Sequence, residues 1–285
     1  MPALVLKDYE PLLERYAVEK PGNRPRRGFW KNLYLLLVLV FLFLPIFILV
    51  IFSFNESKLN VVFTGFTFDW YKSLWGNADL LEAFRNTLLL AAVSTAVSTV
   101  LGTLAAVGLK KYHFPGKKFI DKLLYIPIVI PEIVLGISLL SVISLLNLEL
   151  GFWSVFLAHI TFSTPFVLTS VRSTLFALPP SVEEAAADLG ASRLQVFFRV
   201  TLPLLKPGIL SGAILAFTLS LDDVVVSYFT AGPGTNTLPL YIYSIIKTGI
   251  TPDVNALTTL MLLATILLLV LSNRIKTKRL EKREL

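Results

Sequence analysis

Residues 178–203 read Leu178-Pro-Pro-Ser181-Val-Glu-Glu184-Ala-Ala-Ala-Asp188-Leu-Gly190-Ala-Ser192-Arg-Leu-Gln-Val-Phe-Phe-Arg-Val200-Thr-Leu202-Pro203. Pro179 and Pro180 end whatever precedes them. Ser181 with Glu184 has the spacing of a capping box, which predicts a helix starting there. Ala185, Ala186 and Ala187 favour that helix. Gly190 is a natural stop, because glycine reaches the left-handed conformation without steric cost. Ser192 then predicts a second short helix carrying Leu194, Val196, Phe197 and Phe198, closed by Pro203. The segment reads as helix, turn, helix, with small residues first and apolar ones after.

Outward from this segment the chain becomes apolar in both directions. Of its 285 residues 55% are hydrophobic and only 16% charged, with a mean hydropathy of +0.72. Average soluble chains carry about 25% charged residues, so a water-facing body lacks the polar surface to cover it. A span needs about 20 apolar residues to cross roughly 30 Å of hydrocarbon. Six stretches qualify: 33–53, 87–109, 123–146, 152–171, 208–230 and 256–272. The first is longer than a signal-peptide core and ends in no small-x-small cleavage site, so it reads as a retained span. The absence of cysteine removes disulfide scaffolds and thiolate chemistry. His113 and His159 lie too far apart in sequence to propose a metal site.

The basic residues set the direction. The tail 1–32 holds seven Lys and Arg, 110–122 five, 172–207 four and the tail from Asn273 six. The alternate loops hold only Lys58, Lys72, Arg85 and Lys247. By the positive-inside rule both termini and the loops after spans two and four are cytoplasmic. The net charge of +7 and the pI near 9.5 are therefore largely topology, and nucleic-acid binding has no further support. The expected organisation is a cytoplasmic tail 1–32, a six-span membrane domain 33–272 with a cytoplasmic loop 178–207, and a basic cytoplasmic tail 273–285.

The loop matches the EAA motif of ABC-importer permeases at Glu184, Ala185, Ala186, Gly190, Val200, Leu202 and Pro203. Val200 stands where isoleucine is commoner. From about Phe29 to Asn273 the chain resembles the permeases of bacterial spermidine/putrescine importers. The stretches that carry this are Ile51-Phe-Ser-Phe-Asn55, Gly151-Phe-Trp153-Ser, His159-Ile-Thr-Phe, Phe217-Thr-Leu-Ser-Leu-Asp222-Asp223-Val-Val-Val-Ser227, Leu238-Pro-Leu-Tyr-Ile-Tyr243-Ser and Val254-Asn-Ala-Leu. The first 28 residues extend beyond the family's usual short start. The resemblance implies an all-α type I importer permease fold in the bacterial cytoplasmic membrane. It also implies four partners: a second homologous permease, a homodimer of ATP-binding subunits, an external polyamine-binding protein and membrane lipid. In that family the loop docks on the ATPase and transmits its closure to the spans. The sequence contains no Gly-x-x-x-x-Gly-Lys-Ser/Thr phosphate loop. ATP and magnesium are thus expected on a partner subunit, with no cofactor on this chain and no catalysis by it.

Within the spans the polar residues are few. Span three runs Tyr125-Ile-Pro127-Ile-Val-Ile-Pro131-Glu132, where two prolines four apart remove helix donors and kink the chain. Such backbone is tolerated where protein or a watery cavity re-satisfies it. Glu132, Asp222 and Asp223 fall within spans that contain no Lys or Arg. A charge at mid-bilayer costs around 2.5–3.5 kcal/mol, so these acids predict a negative lining for a cationic cargo. A polyamine fits, its ammonium groups meeting carboxylates and its methylenes meeting aromatics. Adjacent helical residues point about 100° apart, so one of Asp222 and Asp223 is expected to face the path. The other then faces the partner permease or a backbone donor. Ser220 and Ser227 offer further hydroxyls. Trp70, Tyr71 and Trp75 read either as an entrance and binding-protein contact or as an interfacial aromatic belt. His159 reads as a packing histidine. Two rivals use the same acids: an ABC permease for another cationic solute and an ion-coupled secondary carrier.

Overall fold

The computed structural model of the protein describes residues 27–58, 61–248, 252–263 and 266. The chain divides into two compact units, one through Phe52 and one from Ser53. The first contributes α1, Arg27–Phe52, with Pro45 inside it. Its side chains are apolar and exposed around the helix, as befits a span that meets lipid.

The second unit opens with an outer loop leading to a short helix α2, Asp69–Ser73, and a single 3-10 turn, Leu74–Gly76. Helix α3, Ala78–Lys111, follows. It starts ahead of the expected span because the Asn77 side chain accepts from the Leu80 amide at 3.1 Å and caps it. Next come α4, Lys117–Val129, and α5, Glu132–Leu145, then α6, Phe152–Ala177. A short helix pair follows, α7, Ser181–Asp188, and α8, Arg193–Val196. A wide turn, Phe197–Thr201, leads into α9, Leu202–Asp222. Helices α10, Val225–Thr230, and α11, Leu238–Thr248, complete the named elements, and 252–263 is helical.

Four helical stretches among the described residues are long and apolar enough to cross a membrane, or five if α4 and α5 form one broken span. Of the expected sixth span, 256–272, residues 264–265 and 267–272 lie outside the described residues. Span three is more than kinked, since α4 and α5 meet at 116°. Pro131 has no N–H to return to the Pro127 carbonyl, and Ile130 and Pro131 leave in extended backbone. Span five also differs from its expected extent, ending at Asp222 instead of running on to 230.

Two local expectations in the segment 178–203 are corrected. The Ser181–Glu184 capping box does not form, because Pro180 is already helical and its carbonyl takes the amides of Glu183 and Glu184 at 3.1 and 3.2 Å. Pro203 does not close the second helix, which runs unbroken from Arg193 to Asp222. The wide turn before it sends the Leu202 amide back five residues to Phe197, giving the proline ring room. The turn at Gly190 does form. Gly190 has φ +86°, its amide bonds Ala187 and the Ala191 amide bonds Ala186, which together make a Schellman closure. Ser192 and Gln195 cap α8 reciprocally.

The core is the seam where α3, α6 and α9 pack, with Ala106, Val107, Val167, Leu168, Val171, Leu205 and Ala216 buried in it. Contacts 102 with 167 and 110 with 175 advance together, so α3 and α6 run parallel. Contacts 212 with 167 and 220 with 159 advance oppositely, so α9 is antiparallel to both. Close approach depends on small residues: a Cβ at Gly102 would lie 2.7 Å from the Cβ of Val167. Lipid tails give no hydrophobic drive between helices, so such backbone proximity and interhelical hydrogen bonds hold the seam.

A carboxylate-lined cleft and its supports

The break after α9 creates the site. Asp222 is the last residue of α9, and Asp223 follows in extended backbone with φ −66° and ψ 120°. The Asp223 carboxylate turns onto α10. It accepts from the Val226 amide at 3.1 Å, the Ser227 amide at 2.7 Å and the Ser227 hydroxyl at 2.7 Å. These bonds satisfy the orphan donors of a new helix start. Asp222 has no such duty and remains exposed.

The break between α4 and α5 faces the same space. Glu132 is the first residue of α5, exposed, in the turn where a negative charge complements the helix dipole. A cleft of about 330 Å³ is lined by Glu132, Asp222 and Asp223, with Pro127, Phe162 and Phe166 among its other walls and, among the described residues, no basic one. Gly136 allows α5 to press on α10, since a Cβ there would meet the Phe229 ring at 2.6 Å. Two helix breaks from distant parts of the chain thus deliver three carboxylates to one cleft.

Behind the cleft lies His159, fully buried on α6. Its Nδ1 is 2.7 Å from Ser220 Oγ on α9, and its Nε2 is 3.0 Å from Ser227 Oγ and 3.4 Å from Asp223 Oδ2. Ser220 Oγ is in turn 3.2 Å from Ser94 Oγ on α3. Ser220 therefore does not line the cleft, and its hydroxyl joins the helices behind it. Ser227 holds Asp223. Trp70 and Tyr71 are elsewhere. The Trp70 indole donates to the Asn55 carbonyl at 2.6 Å, Tyr71 Oη is 2.7 Å from Ser53 Oγ, and both rings pack on Leu74, Leu80 and Leu238. Trp75 is exposed in the 3-10 turn of the same outer loop.

In the loop between α6 and α9, Glu184, Ala185, Gly190 and Pro203 are exposed, while Ala186, Val200 and Leu202 are half-buried. Leu189 at 89% exposure, Leu194 and Phe198 present apolar surface beside them. The acid that ties this loop down is one the motif does not single out. Glu183 pairs with Lys111 at the end of α3 at 2.9 Å and accepts from the Thr201 hydroxyl before α9. Burial pushes the Glu183 carboxyl up, but the bonds from Thr201 and Lys111, with the charges of Lys111 and Lys110, outweigh it. The group is held below its ordinary value. A second fastening joins α4 to α6: Arg172 bonds both Asp121 oxygens and the Tyr125 hydroxyl, and stacks over Phe176. The sequence signal for both was a basic residue at the end of an apolar span, counted there only toward topology.

Residues 98–283 match the family described as binding-protein-dependent transport system inner membrane component. The chain is 42% identical over 260 residues to the spermidine/putrescine transport system permease protein PotC of Escherichia coli (strain K12), covering 90% of this chain and 97% of that protein. It is 41% identical over 244 residues to the putrescine transport system permease protein PotI of the same organism, covering 83% and 86%. Among solved structures, a bacterial ABC transporter involved in the import of the acidic polysaccharide alginate superposes with a TM-score of 0.68 at 15% identity. That match covers 87% of this chain and 95% of the other.

Proposed function

The chain belongs to the family of binding-protein-dependent transport system inner membrane components, and from that premise we propose that it is the permease subunit of an ATP-driven importer for polyamines, spermidine and putrescine. Its fold is that of a type I ABC importer permease. The observation that carries the cargo is the cleft of Glu132, Asp222 and Asp223, which has no basic residue in its lining and has Phe162 and Phe166 in its wall. Carboxylates attract ammonium groups, and aromatic faces accept both methylenes and cations. The similarity to permeases named for spermidine and putrescine supports the same reading.

Energy arrives through the loop 178–207, which docks on a PotA-like ATPase by way of Glu184, Ala185, Ala186, Gly190, Val200, Leu202 and Pro203. A PotB-like permease completes the translocation path, and a PotD-like binding protein delivers cargo from outside. Both termini lie in the cytoplasm, with 1–32 and 273–285 as tails around a membrane domain of 33–272. Since the sequence has no cysteine, single introduced cysteines probed with impermeant reagents test this orientation directly.

The test of function is uptake of labelled spermidine and putrescine into proteoliposomes containing the assembled importer, with and without ATP and the binding protein. Uptake that needs both supports the proposal. ATP-dependent uptake of another cation with no polyamine uptake moves the assignment to that solute. Uptake driven by an ion gradient without ATP makes the chain a secondary carrier.

A further inference from the structure

Donor counting fixes one end of the buried histidine network. Ser227 has one hydroxyl proton, and it goes to Asp223 Oδ2 at 2.7 Å. Toward His159 Nε2, at 3.0 Å, Ser227 Oγ must therefore accept, so Nε2 carries a proton. At the other end Nδ1 meets the Ser220 hydroxyl at 2.7 Å. Ser220 Oγ meets Ser94 Oγ at 3.2 Å, and the Ser94 hydroxyl also reaches the Ala91 carbonyl at 3.4 Å. Each member of the row Ser94, Ser220, His159, Ser227, Asp223 thus has a hydrogen-bond partner. The row crosses α3, α9, α6 and α10, and His159, Ser220 and Ser94 are at most 3% exposed.

We infer that His159 is a positioning residue for the cleft, acting through its Nε2–H on Ser227 and its Nδ1 contact with Ser220. It fixes Ser227 and Asp223 at the break between α9 and α10, and the break leaves Asp222 as the aspartate with an open carboxylate. The inference rests on the polyamine reading of the cleft and adds a residue outside it that sets the cleft's shape.

The test uses the assembled importer in proteoliposomes, measuring spermidine uptake and binding-protein-stimulated ATP hydrolysis on the same preparation. His159→Leu removes both bonds and is expected to lower uptake roughly ten-fold while stimulated hydrolysis stays within about two-fold of wild type. His159→Gln retains an acceptor for Ser220 and a donor for Ser227, and is expected to restore uptake to within about three-fold. A purely structural histidine would lose hydrolysis together with uptake and would not be rescued by glutamine. Wild-type uptake in H159L, or equal loss in H159Q and H159L, overturns the inference. If H159L does not assemble, Ser220→Ala decides, since it removes the Nδ1 partner, and with it the contact to Ser94, while leaving the ring in place: reduced uptake with retained hydrolysis supports the role, and unchanged uptake overturns it. Variants are scored as ratios to wild type. Spermidine uptake by the wild type tests the cargo reading by itself, and a wild type that carries another cation instead is scored with that cation.

Discussion

Glu183 in the first turn of α7 and Lys111 at the last turn of α3 meet at 2.9 Å, so the loop between α6 and α9 is tied to a span far from it in sequence. The tie is half-exposed and contributes under about 1 kcal/mol by itself. Its importance is positional, because Thr201 on the same carboxylate brings the start of α9 to the same point.

This tie has a pH signature. The folded Glu183 carboxyl lies below its ordinary value of 4.5, so its contribution is fully present above 4.5. It is lost as pH falls through the lower folded value. Hydrogen exchange of the amides in 181–190 should accelerate across that acidic window in the wild type. Glu183→Gln should exchange faster at neutral pH and show no such step. A step of equal size in the variant would remove Glu183 from the account.

Gly190→Val should separate insertion from coupling. A β-branched residue at φ +86° is a steric outlier costing about 1–2 kcal/mol, and the Schellman closure between α7 and α8 would be lost. The variant should reach the membrane at normal levels and show little ATP-driven uptake. Uptake at the wild-type rate would rule out this turn as the coupling geometry.

The two aspartates should fail differently. Asp222→Asn removes an open charge, so polyamine uptake should fall while thermal unfolding is unchanged. Asp223→Ala also strips three donors of their acceptor, and should lower stability by about 1–2 kcal/mol in addition. Unfolding curves in detergent alongside uptake distinguish the pair. Identical behaviour of the two variants would contradict the division of roles.

The α3–α6 seam should be sensitive to a single side chain. Gly102→Val places a Cβ 2.7 Å from that of Val167, and overpacking of this kind costs typically 1–3 kcal/mol. Gly76→Ala meets nothing within 4 Å and serves as the comparison. Equal melting temperatures for the two would show that the seam yields.

Much of the architecture was legible because the bilayer is a uniform solvent. An apolar run of about 20 residues has one cheap location whatever surrounds it, so α1, α3, α6 and α9 fall within or across their expected spans. Gly190 and the Ser192 cap were legible for a local reason: turn and cap chemistry involves residues within four positions of each other. The misreadings share the opposite cause. Pro203 was read as a stop, yet a wide turn upstream absorbs it. Ser181 and Glu184 were read as a capping pair, yet Pro180 supplies the carbonyl.

The sequence by itself determined that this chain is a membrane permease of its family, with an apolar body and three acids inside apolar stretches. Only the tertiary structure decided that Glu132 and Asp222 share a cleft, that Asp223 is turned onto α10, and that Ser220 serves His159. A carboxylate's partner depends on which helix ends arrive beside it. The 116° break at Pro131 and the end of α9 at Asp222 create those ends, and contacts such as that of Gly136 with Phe229 bring them together by packing between segments tens of residues apart.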